Sequence, residues 1–309
     1  MGLINRLALA ICLCVTAANV DAYGRQQQDA ANNPSPALEG AATAIYKTLG
    51  DVRLPLYIFQ PVGNKPGDKR AAILFFFGGG WVAGKIKQFQ PQAQHFASRG
   101  MVAVVVDYRV RSRHHTTPFE SIADGKSAIR WVRAHAKELG VDPLRIAAAG
   151  GSAGGHVAAS SATLKEFDES EEDRRITSVP NALVLFNPVV DTTASGYGAQ
   201  TLGARAEEAS PLHHITRDTS PTIIFHGTAD KTVPFSNATA FCAEMKKLGN
   251  VCQLVPFEGK GHGFFNVNKP DDQSQRETLQ RADAFLVSLG FMQALPKNDQ
   301  PQRSAEHRK

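Results

Sequence analysis

The run Gly150-Gly151-Ser152-Ala153-Gly154-Gly155 has the clearest chemical potential in this chain. It lies between a β-rich run, 145–149, and a run of small residues that is typical of a helix, 156–164. A Gly-x-Ser-x-Gly sequence between strand and helix indicates a tight turn that presents the serine hydroxyl above the sheet edge. Glycines flank the serine because a Cβ there would collide with the neighbouring strand and helix. The pattern predicts Ser152 as a nucleophile, and an incidental serine in a glycine-rich turn is the alternative.

A serine hydroxyl needs a base that removes its proton and an acid that orients the base. Asp230 follows the apolar run 222–226, and His262 follows the next apolar run, 251–257, in a loop with flanking glycines. Both come after Ser152, in the order serine, acid, histidine, and each lies at the end of an expected strand. This order predicts a catalytic triad of Ser152, Asp230 and His262.

Each triad partner has a structural alternative when it is taken alone. Asp230 could be a turn residue that caps a helix, and His262 is one of ten histidines. Asp107 and Asp191 also follow expected strands, but no glycine-flanked histidine follows either in the same pattern. The coincidence of all three residue types in the right order therefore favours the triad.

A second glycine-rich loop follows the apolar run 71–77 and reads Gly78-Gly79-Gly80-Trp81. Backbone N–H groups in such a loop can stabilise the negative oxygen that forms during acyl transfer. We expect the amides of Gly78, Gly79 and Ala153 to form this oxyanion hole. Trp81 is predicted to contact the substrate and to narrow the acyl side of the site. A flexible glycine turn is the structural alternative.

Alternating apolar strands and amphipathic helices position these loops. Strands are expected at 44–49, 54–60, 71–77, 102–106, 145–149, 182–186, 222–226 and 251–257, and helices at 89–99, 119–139, 156–164, 236–248 and 276–289. The alternation predicts a mostly parallel central sheet with helices on both faces. Ligands bind outside the carboxyl ends of such strands, where every candidate residue lies. The charge-dense segment 165–175 is predicted to be a solvated loop.

The composition of the 309 residues is that of an ordinary globular protein, with 42% hydrophobic and 20% charged residues. The formal net charge is only +5. No basic block is interleaved with aromatic residues, so we expect no nucleic-acid partner. No spacing typical of zinc ligands occurs, and we expect no metal or cofactor.

The first 22 residues read as a secretory signal peptide, with Arg6, the apolar run 7–20 and a small-residue cleavage site at 20–22. The protein is therefore expected to be secreted or periplasmic, without stable membrane association. An N-terminal anchor is an alternative, although the apolar run is short for a span. Lipid modification at Cys12 or Cys14 is another.

The expected domain organisation places a polar arm at 23–43, one catalytic domain at 44–290 and a polar tail at 291–309. Cys242 and Cys252 remain after signal cleavage, and a cysteine pair in an exported protein favours a disulfide. Two buried free thiols are the alternative, because sequence alone does not show the Cα separation.

Together these motifs resemble the α/β-hydrolase superfamily, specifically the esterase/lipase group of hormone-sensitive lipase and the bacterial carbohydrate-acetyl and feruloyl-type esterases. The matching motifs are Gly78-Gly79-Gly80-Trp81, Asp107-Tyr108-Arg109, Gly150-Gly151-Ser152-Ala153-Gly154-Gly155-His156, His226-Gly227-Thr228-Ala229-Asp230 and Gly261-His262-Gly263-Phe264-Phe265. The resemblance covers roughly residues 44 to 290. It implies an α/β-hydrolase fold with little or no cap domain. It also implies Ser152 as nucleophile, His262 as base and acid, Asp230 as orienting acid, and Gly78, Gly79 and Ala153 as oxyanion donors.

The chain departs from the family at Phe77, where the family usually has a histidine before the glycines. Backbone donors can still form the oxyanion hole. The side-chain hydrogen bonds that hold the loop in the family are lost, so the rigidity of the loop is in question.

The expected function is hydrolysis of short-chain acyl esters, above all acetyl esters, through an acyl-enzyme. The substrate is a small-molecule or carbohydrate ester, with acetylated carbohydrates as one class. The alternatives are an amide hydrolase of the same fold (a formamidase or a peptidase) and a non-catalytic binding protein on a hydrolase scaffold. The residues leave open the alcohol part of the ester, the preference for ester over amide and the oligomeric state.

Overall fold

The computed structural model describes residues 37–267 and 273–295. The predicted signal peptide with Cys12 and Cys14, the arm up to residue 36 and the tail from residue 296 lie outside the described residues. Across the two described ranges, no helix combines the length and the apolar character that a membrane span requires.

Eight strands form one sheet in the order β1-β2-β4-β3-β5-β6-β7-β8. The strands are β1 (Ala42–Leu49), β2 (Val52–Phe59), β3 (Arg70–Phe76), β4 (Val102–Val106), β5 (Val141–Gly151), β6 (Ala182–Phe186), β7 (Thr222–Gly227) and β8 (Cys252–Phe257). β1 and β2 form an antiparallel hairpin, β2 pairs antiparallel with β4, and every other pair is parallel. The mostly parallel sheet that the sequence predicts is confirmed.

Three strands of the sheet, β4, β6 and β7, are buried along their whole length. All residues of β4 and β6 are buried, because helices cover both faces of the sheet. A strand in this position has no solvent face and therefore reads as a continuous apolar run. This explains why the sequence located these strands to within two residues.

The helices are α1 (Gln90–Ser98), α2 (Arg111–His114), α3 (Pro118–Ala134), α4 (Ala136–Leu139), α5 (Ala153–Thr163), α6 (Ala199–Leu202), α7 (Phe235–Lys247) and α8 (Gln273–Ser288). Short 3₁₀ turns lie at Ile86–Phe89, Gly203–Arg205 and Pro211–His214. The helix expected at 119–139 is two helices, because the backbone leaves the helical conformation at His135. Between β6 and β7 the described chain has no helix longer than four residues.

The segment 165–175 is a loop, as expected, but the prediction that it is solvated is wrong in part. Asp168 lies 3.1 Å from the Lys126 ammonium, and Glu169 lies 2.8 Å from that of Lys47. Both lysine side chains are buried, and a buried charge is tolerated only when it is paired. The acidic residues of this loop therefore supply counter-charges to the body of the protein.

The structure joins Cys242 in α7 to Cys252 in β8 by a disulfide, with the two Cα atoms 5.3 Å apart. Both residues are buried. The bridge fixes α7 to the strand that leads to His262.

Removal of this bridge by Cys242→Ala together with Cys252→Ala should lower the free energy of unfolding by about 3 kcal/mol. Without the cross-link, the unfolded chain regains the conformational entropy that the closed loop had removed. Urea unfolding measures the loss, and reduction should destabilise the wild-type protein by a similar amount. Thiol titration in denaturant gives the decisive control. If the unreduced wild-type chain shows two more free thiols than the double variant, the bridge does not form.

Candidate active site

The turn at Ser152 has the strained geometry that the sequence predicts. β5 ends at Gly151, α5 begins at Ala153, and Ser152 between them has a φ of 54° and a ψ of −121°. A Cβ added to Gly150 would lie 2.3 Å from the carbonyl oxygen of Gly154, far inside van der Waals contact. The expected reason for glycine at this position is thus confirmed.

Backbone hydrogen bonds hold Ser152 in this conformation. Its N–H donates to the carbonyl of Phe186 at 3.0 Å, and its carbonyl accepts from the N–H groups of His156 and Val189 at 3.0 and 3.2 Å. A positive φ costs energy for a residue with a side chain, so it persists only where the surrounding structure enforces it. Three hydrogen bonds, to β6, to α5 and to the loop after β6, do so here.

The three predicted triad residues lie together at the carboxyl end of the sheet. The Ser152 hydroxyl lies 3.0 Å from Nε2 of His262. Nδ1 of His262 lies 2.8 Å from Oδ2 of Asp230. Asp230 follows β7 and His262 follows β8, so neighbouring parallel strands bring them to the same edge. Both hydrogen bonds are within the range in which a histidine can take the proton of a nucleophile.

Asp230 is held in its charged form. Burial raises the pKa of this carboxyl, but hydrogen bonds from His226 and His262 and from the N–H groups of Val233 and Thr232 outweigh that effect and bring the pKa well below its usual range. Nε2 of His226 lies 3.3 Å from Oδ2 of Asp230 and 3.0 Å from the carbonyl of Val233, and donates to both. His226 was not predicted as a site residue, although its position in the same strand-end motif as Asp230 could have marked it.

The structure corrects the prediction that Gly78 is an oxyanion donor. Its N–H donates to Oε1 of Gln88 at 2.7 Å and is therefore engaged. Among the described residues, the amides of Gly79 and Ala153 have no such acceptor. The glycine loop (residues 78–80) and Ser152 line the same cavity. Gly79 and Ala153 thus remain the candidate donors.

Phe77, which stands where a histidine is usual, is buried in an apolar stack. Its ring lies 4.2 Å from that of Tyr108, with the two planes nearly parallel. The Tyr108 hydroxyl donates to the carbonyl of Phe77 at 2.5 Å. Gly84 also packs closely on the Phe77 ring, since a Cβ on Gly84 would lie 2.1 Å from it. The start of the glycine loop is therefore held by packing and by a tyrosine hydroxyl.

The prediction that Trp81 contacts the substrate is also corrected. Trp81 is only 2% exposed, and its side chain does not line the cavity. Its indole N–H donates to Nδ1 of His156 at 3.2 Å, and its ring packs against that of Tyr197. Nε2 of His156 in turn donates to the carbonyl of Ala209 at 2.8 Å. Sequence position placed Trp81 next to the site, but the direction of its side chain depends on the distant residue His156.

The cavity in front of Ser152 has a volume of about 640 Å³. Its walls include amide, ammonium and hydroxyl side chains, and none of the described residues that line it is Leu, Ile, Val or Met. Besides the glycine loop and the predicted Ser152 and His262, the lining residues are Lys85, Lys87, Gln88, Asn187, Tyr197, Thr232, Gly263, Phe265 and Asn266. Asn187 directly follows β6, a strand-end position that could have marked it. In the part of the chain that the structure describes, no group of three His, Cys, Asp or Glu residues is arranged to hold a metal ion.

Comparison with known proteins gives the same fold. The BD-FAE family model matches residues 56–197, and the dienelactone hydrolase family model matches residues 181–293. Esterase 2 of Thermogutta terrifontis, solved after phosphoramylation by tabun, is 51% identical, with 84% of this chain and 98% of that chain covered and a TM-score of 0.81. This chain belongs to the α/β-hydrolase superfamily.

Several relatives within this superfamily are named esterases. The Thermogutta esterase has also been solved phosphorylated by paraoxon, and with propionate or butyrate bound. Esterase LipC of Mycobacterium tuberculosis is 30% identical over 65% of this chain and 55% of its own length. The probable carboxylic ester hydrolase LipM of the same organism is 34% identical over 58% of this chain and 46% of its own length. The chain thus spans about half the length of these curated relatives.

His156, beneath this α/β-hydrolase site, gives the protein a pH-dependent stability. Burial lowers the pKa of His156 to about 4, and the hydrogen bond to Ala209 opposes that shift only partly. Because the folded-state pKa lies below the unfolded-state value of about 6.5, the unfolded chain binds the proton more tightly. The contribution of His156 to the free energy of unfolding is fully present above about pH 6.5. It decreases by about 3 kcal/mol as the pH falls to 4.

The variant His156→Gln should be less stable than the wild-type protein at pH 7, and this difference should shrink by about 3 kcal/mol at pH 4. Urea unfolding at both pH values measures the difference. If the difference in free energy of unfolding between the two proteins is the same at pH 7 and pH 4, His156 does not titrate between these pH values.

Proposed function

We propose that this protein is a serine carboxylesterase that hydrolyses short-chain acyl esters, above all acetyl esters. The observation that carries the proposal is the pair of hydrogen bonds from Ser152 to His262 and from His262 to Asp230, at 3.0 and 2.8 Å. This is the arrangement in which a serine hydroxyl becomes a nucleophile. The esterase relatives support the same reaction class.

In the proposed mechanism, Oγ of Ser152 attacks the ester carbonyl carbon while Nε2 of His262 accepts the hydroxyl proton. Asp230 orients His262 and stabilises the imidazolium that forms. The carbonyl oxygen becomes an oxyanion, and we assign the amides of Gly79 and Ala153 to it. The ester bond then breaks, the alcohol takes the proton from His262, and the acyl group stays on Ser152. Water activated by His262 releases the acid and restores the serine.

The cavity supports a preference for small acyl groups. Phe265 and Tyr197 are the aromatic side chains among its lining residues, and the remaining side chains there are polar or absent. Among the described residues, a long acyl chain would meet no wall of aliphatic side chains that excludes water. The Thermogutta esterase has been solved with propionate or butyrate bound, and the size of these two acids agrees with this preference.

For the alcohol part we propose a small-molecule alcohol or a carbohydrate hydroxyl, as in an acetylated carbohydrate, since the amide, ammonium and hydroxyl groups at the cavity walls can bind substrate hydroxyls. We further propose that the protein acts outside the cytoplasm, on the strength of the signal-like sequence of its first 22 residues. Amide hydrolysis and ligand binding without catalysis are the outcomes that would replace the proposal.

The variant Ser152→Ala should lose about 10⁵- to 10⁶-fold in kcat for p-nitrophenyl acetate, as triad replacements do. A fluorophosphonate probe should label the wild-type protein at Ser152 and leave this variant unlabelled. Ser98→Ala, on an exposed position of α1, is the matched control and should retain full activity.

Two results would contradict the assignment. Labelling of another serine would exclude Ser152 as the nucleophile. A higher kcat/KM for p-nitroacetanilide than for p-nitrophenyl acetate would show an amide hydrolase, and the absence of turnover on both would favour a binding protein.

The acyl preference can be measured as kcat/KM for p-nitrophenyl esters from acetate to octanoate. Each buried methylene contributes about 0.8 kcal/mol, so an apolar trench would raise kcat/KM about fourfold per carbon. We expect a flat or falling series beyond butyrate instead. A steady rise to octanoate would reveal an acyl pocket and reject the short-chain preference.

A further inference from the structure

The glycine loop (residues 78–80) is connected to the loop that carries His262 through two side-chain amides. The N–H of Gly78 donates to Oε1 of Gln88 at 2.7 Å. Nε2 of Gln88 donates to Oδ1 of Asn266 at 2.9 Å, and Nδ2 of Asn266 donates to the carbonyl of Gly263 at 3.0 Å. We call the pair of Gln88 and Asn266 the amide bridge.

The orientation of both amides in the bridge is fixed by its ends. A backbone N–H can only donate, so the group of Gln88 that faces Gly78 must be the oxygen. A carbonyl can only accept, so the group of Asn266 that faces Gly263 must be the nitrogen. These two requirements leave a donor on Gln88 facing an acceptor on Asn266. The three hydrogen bonds that run from Gly78 through the amide bridge to Gly263 are therefore satisfied in a single orientation of the two amides.

A third amide, that of Asn187, also binds Gly263. The N–H of Gly263 donates to Oδ1 of Asn187 at 3.0 Å, and Nδ2 of Asn187 lies 3.5 Å from Nε2 of His262. Gly263 thus donates one hydrogen bond, to Asn187, and accepts two, from the side-chain amide and the backbone N–H of Asn266. The amide bridge alone, however, reaches the glycine loop.

We propose that Gln88 and Asn266 are positioning residues, which hold the glycine loop in register with His262 during catalysis. This inference rests on the proposed function. Gly78 adjoins the nucleophile, since a Cβ on Gly78 would lie 3.3 Å from Cβ of Ser152. The oxyanion donors and the base act on the same substrate from different loops, and a displacement of about 1 Å between them can cost 10²-fold in rate. Neither bridge residue is assigned a contact with the reacting atoms.

The amide bridge also compensates for the absence of the usual histidine before the glycines. Phe77 offers no side-chain hydrogen bond, and it fixes only the start of the loop through its stack on Tyr108. Gln88 holds the next residue, Gly78, by its backbone N–H. The side-chain hydrogen bond to Gly78 is therefore supplied from the turn Ile86–Phe89, while backbone N–H groups of Val82 and Ala83 bind the carbonyl of Gly79.

The test is a double-mutant cycle with Gln88→Met, Asn266→Leu and the double variant, each of which replaces an amide by an apolar group of similar size. We expect each single variant to lower kcat about 10- to 100-fold and to change KM by less than about threefold, because the lost positioning acts on the transition state. The double variant should be no slower than the slower single variant, since one broken link already disconnects the loops. Gln94→Met, on an exposed position of α1, is the matched control.

Values of kcat are normalised to the fraction of protein that a fluorophosphonate labels at completion, so that loss of folded enzyme does not count as loss of rate. A variant that falls only in labelled fraction and keeps its normalised kcat would show a purely structural role and overturn the inference. The inference would also be overturned if the fold-losses of normalised kcat in the two single variants multiplied in the double variant. If the wild-type protein hydrolyses no ester, the proposed function itself is wrong, and this inference falls with it. An active wild-type enzyme with unaffected bridge variants rejects the inference alone.

Discussion

The close contact between the serine turn and the end of β3 is the constraint on which the site depends. A Cβ on Gly154 would lie 2.1 Å from the carbonyl oxygen of Phe76 and 2.3 Å from that of Phe77. Only glycine allows α5 to begin against this strand end. The same strand end continues into the glycine loop, so the nucleophile and the candidate oxyanion donors share one backbone contact. Their separation is set by main-chain packing, which varies less than a contact between flexible side chains.

The sequence was most informative where chemistry and geometry restrict the residue type. Ser152, Asp230 and His262 could be predicted because each needs a defined position at a strand end, and buried strands read as apolar runs. The roles of Trp81 and Gly78 were wrong for a common reason. Their environments depend on residues that local patterns do not connect to them, His156 for the indole and Gln88 for the amide. The ion pairs of 165–175 were missed likewise, because charge density alone does not show which charges are buried.

The departure at Phe77 shows how the same loop can be supported by different interactions. A stacked aromatic pair contributes about 0.5–1.5 kcal/mol beyond its buried area, and a typical hydrogen bond contributes about 1 kcal/mol. Phe77 has both, through the ring and the hydroxyl of Tyr108. Neither interaction reaches Gly79, whose N–H is one of the candidate donors. The carbonyl of Gly79 accepts from the N–H groups of Val82 and Ala83 at 3.1 and 3.2 Å, and Gln88 binds its neighbour Gly78.

Three histidines lie at or beneath the site, and their surroundings determine which of them can transfer a proton. His156 and His226 are fully buried, and each directs its Nε2–H to a backbone carbonyl, that of Ala209 or of Val233. A histidine fixed in this way cannot exchange its proton with a substrate. The side chain of His262 is 25% exposed, and its Nε2 lies against the hydroxyl of Ser152, so it can accept that proton and return it to a leaving alcohol. The other two act indirectly, His226 by a hydrogen bond to the acid and His156 by anchoring Trp81 under the glycine loop.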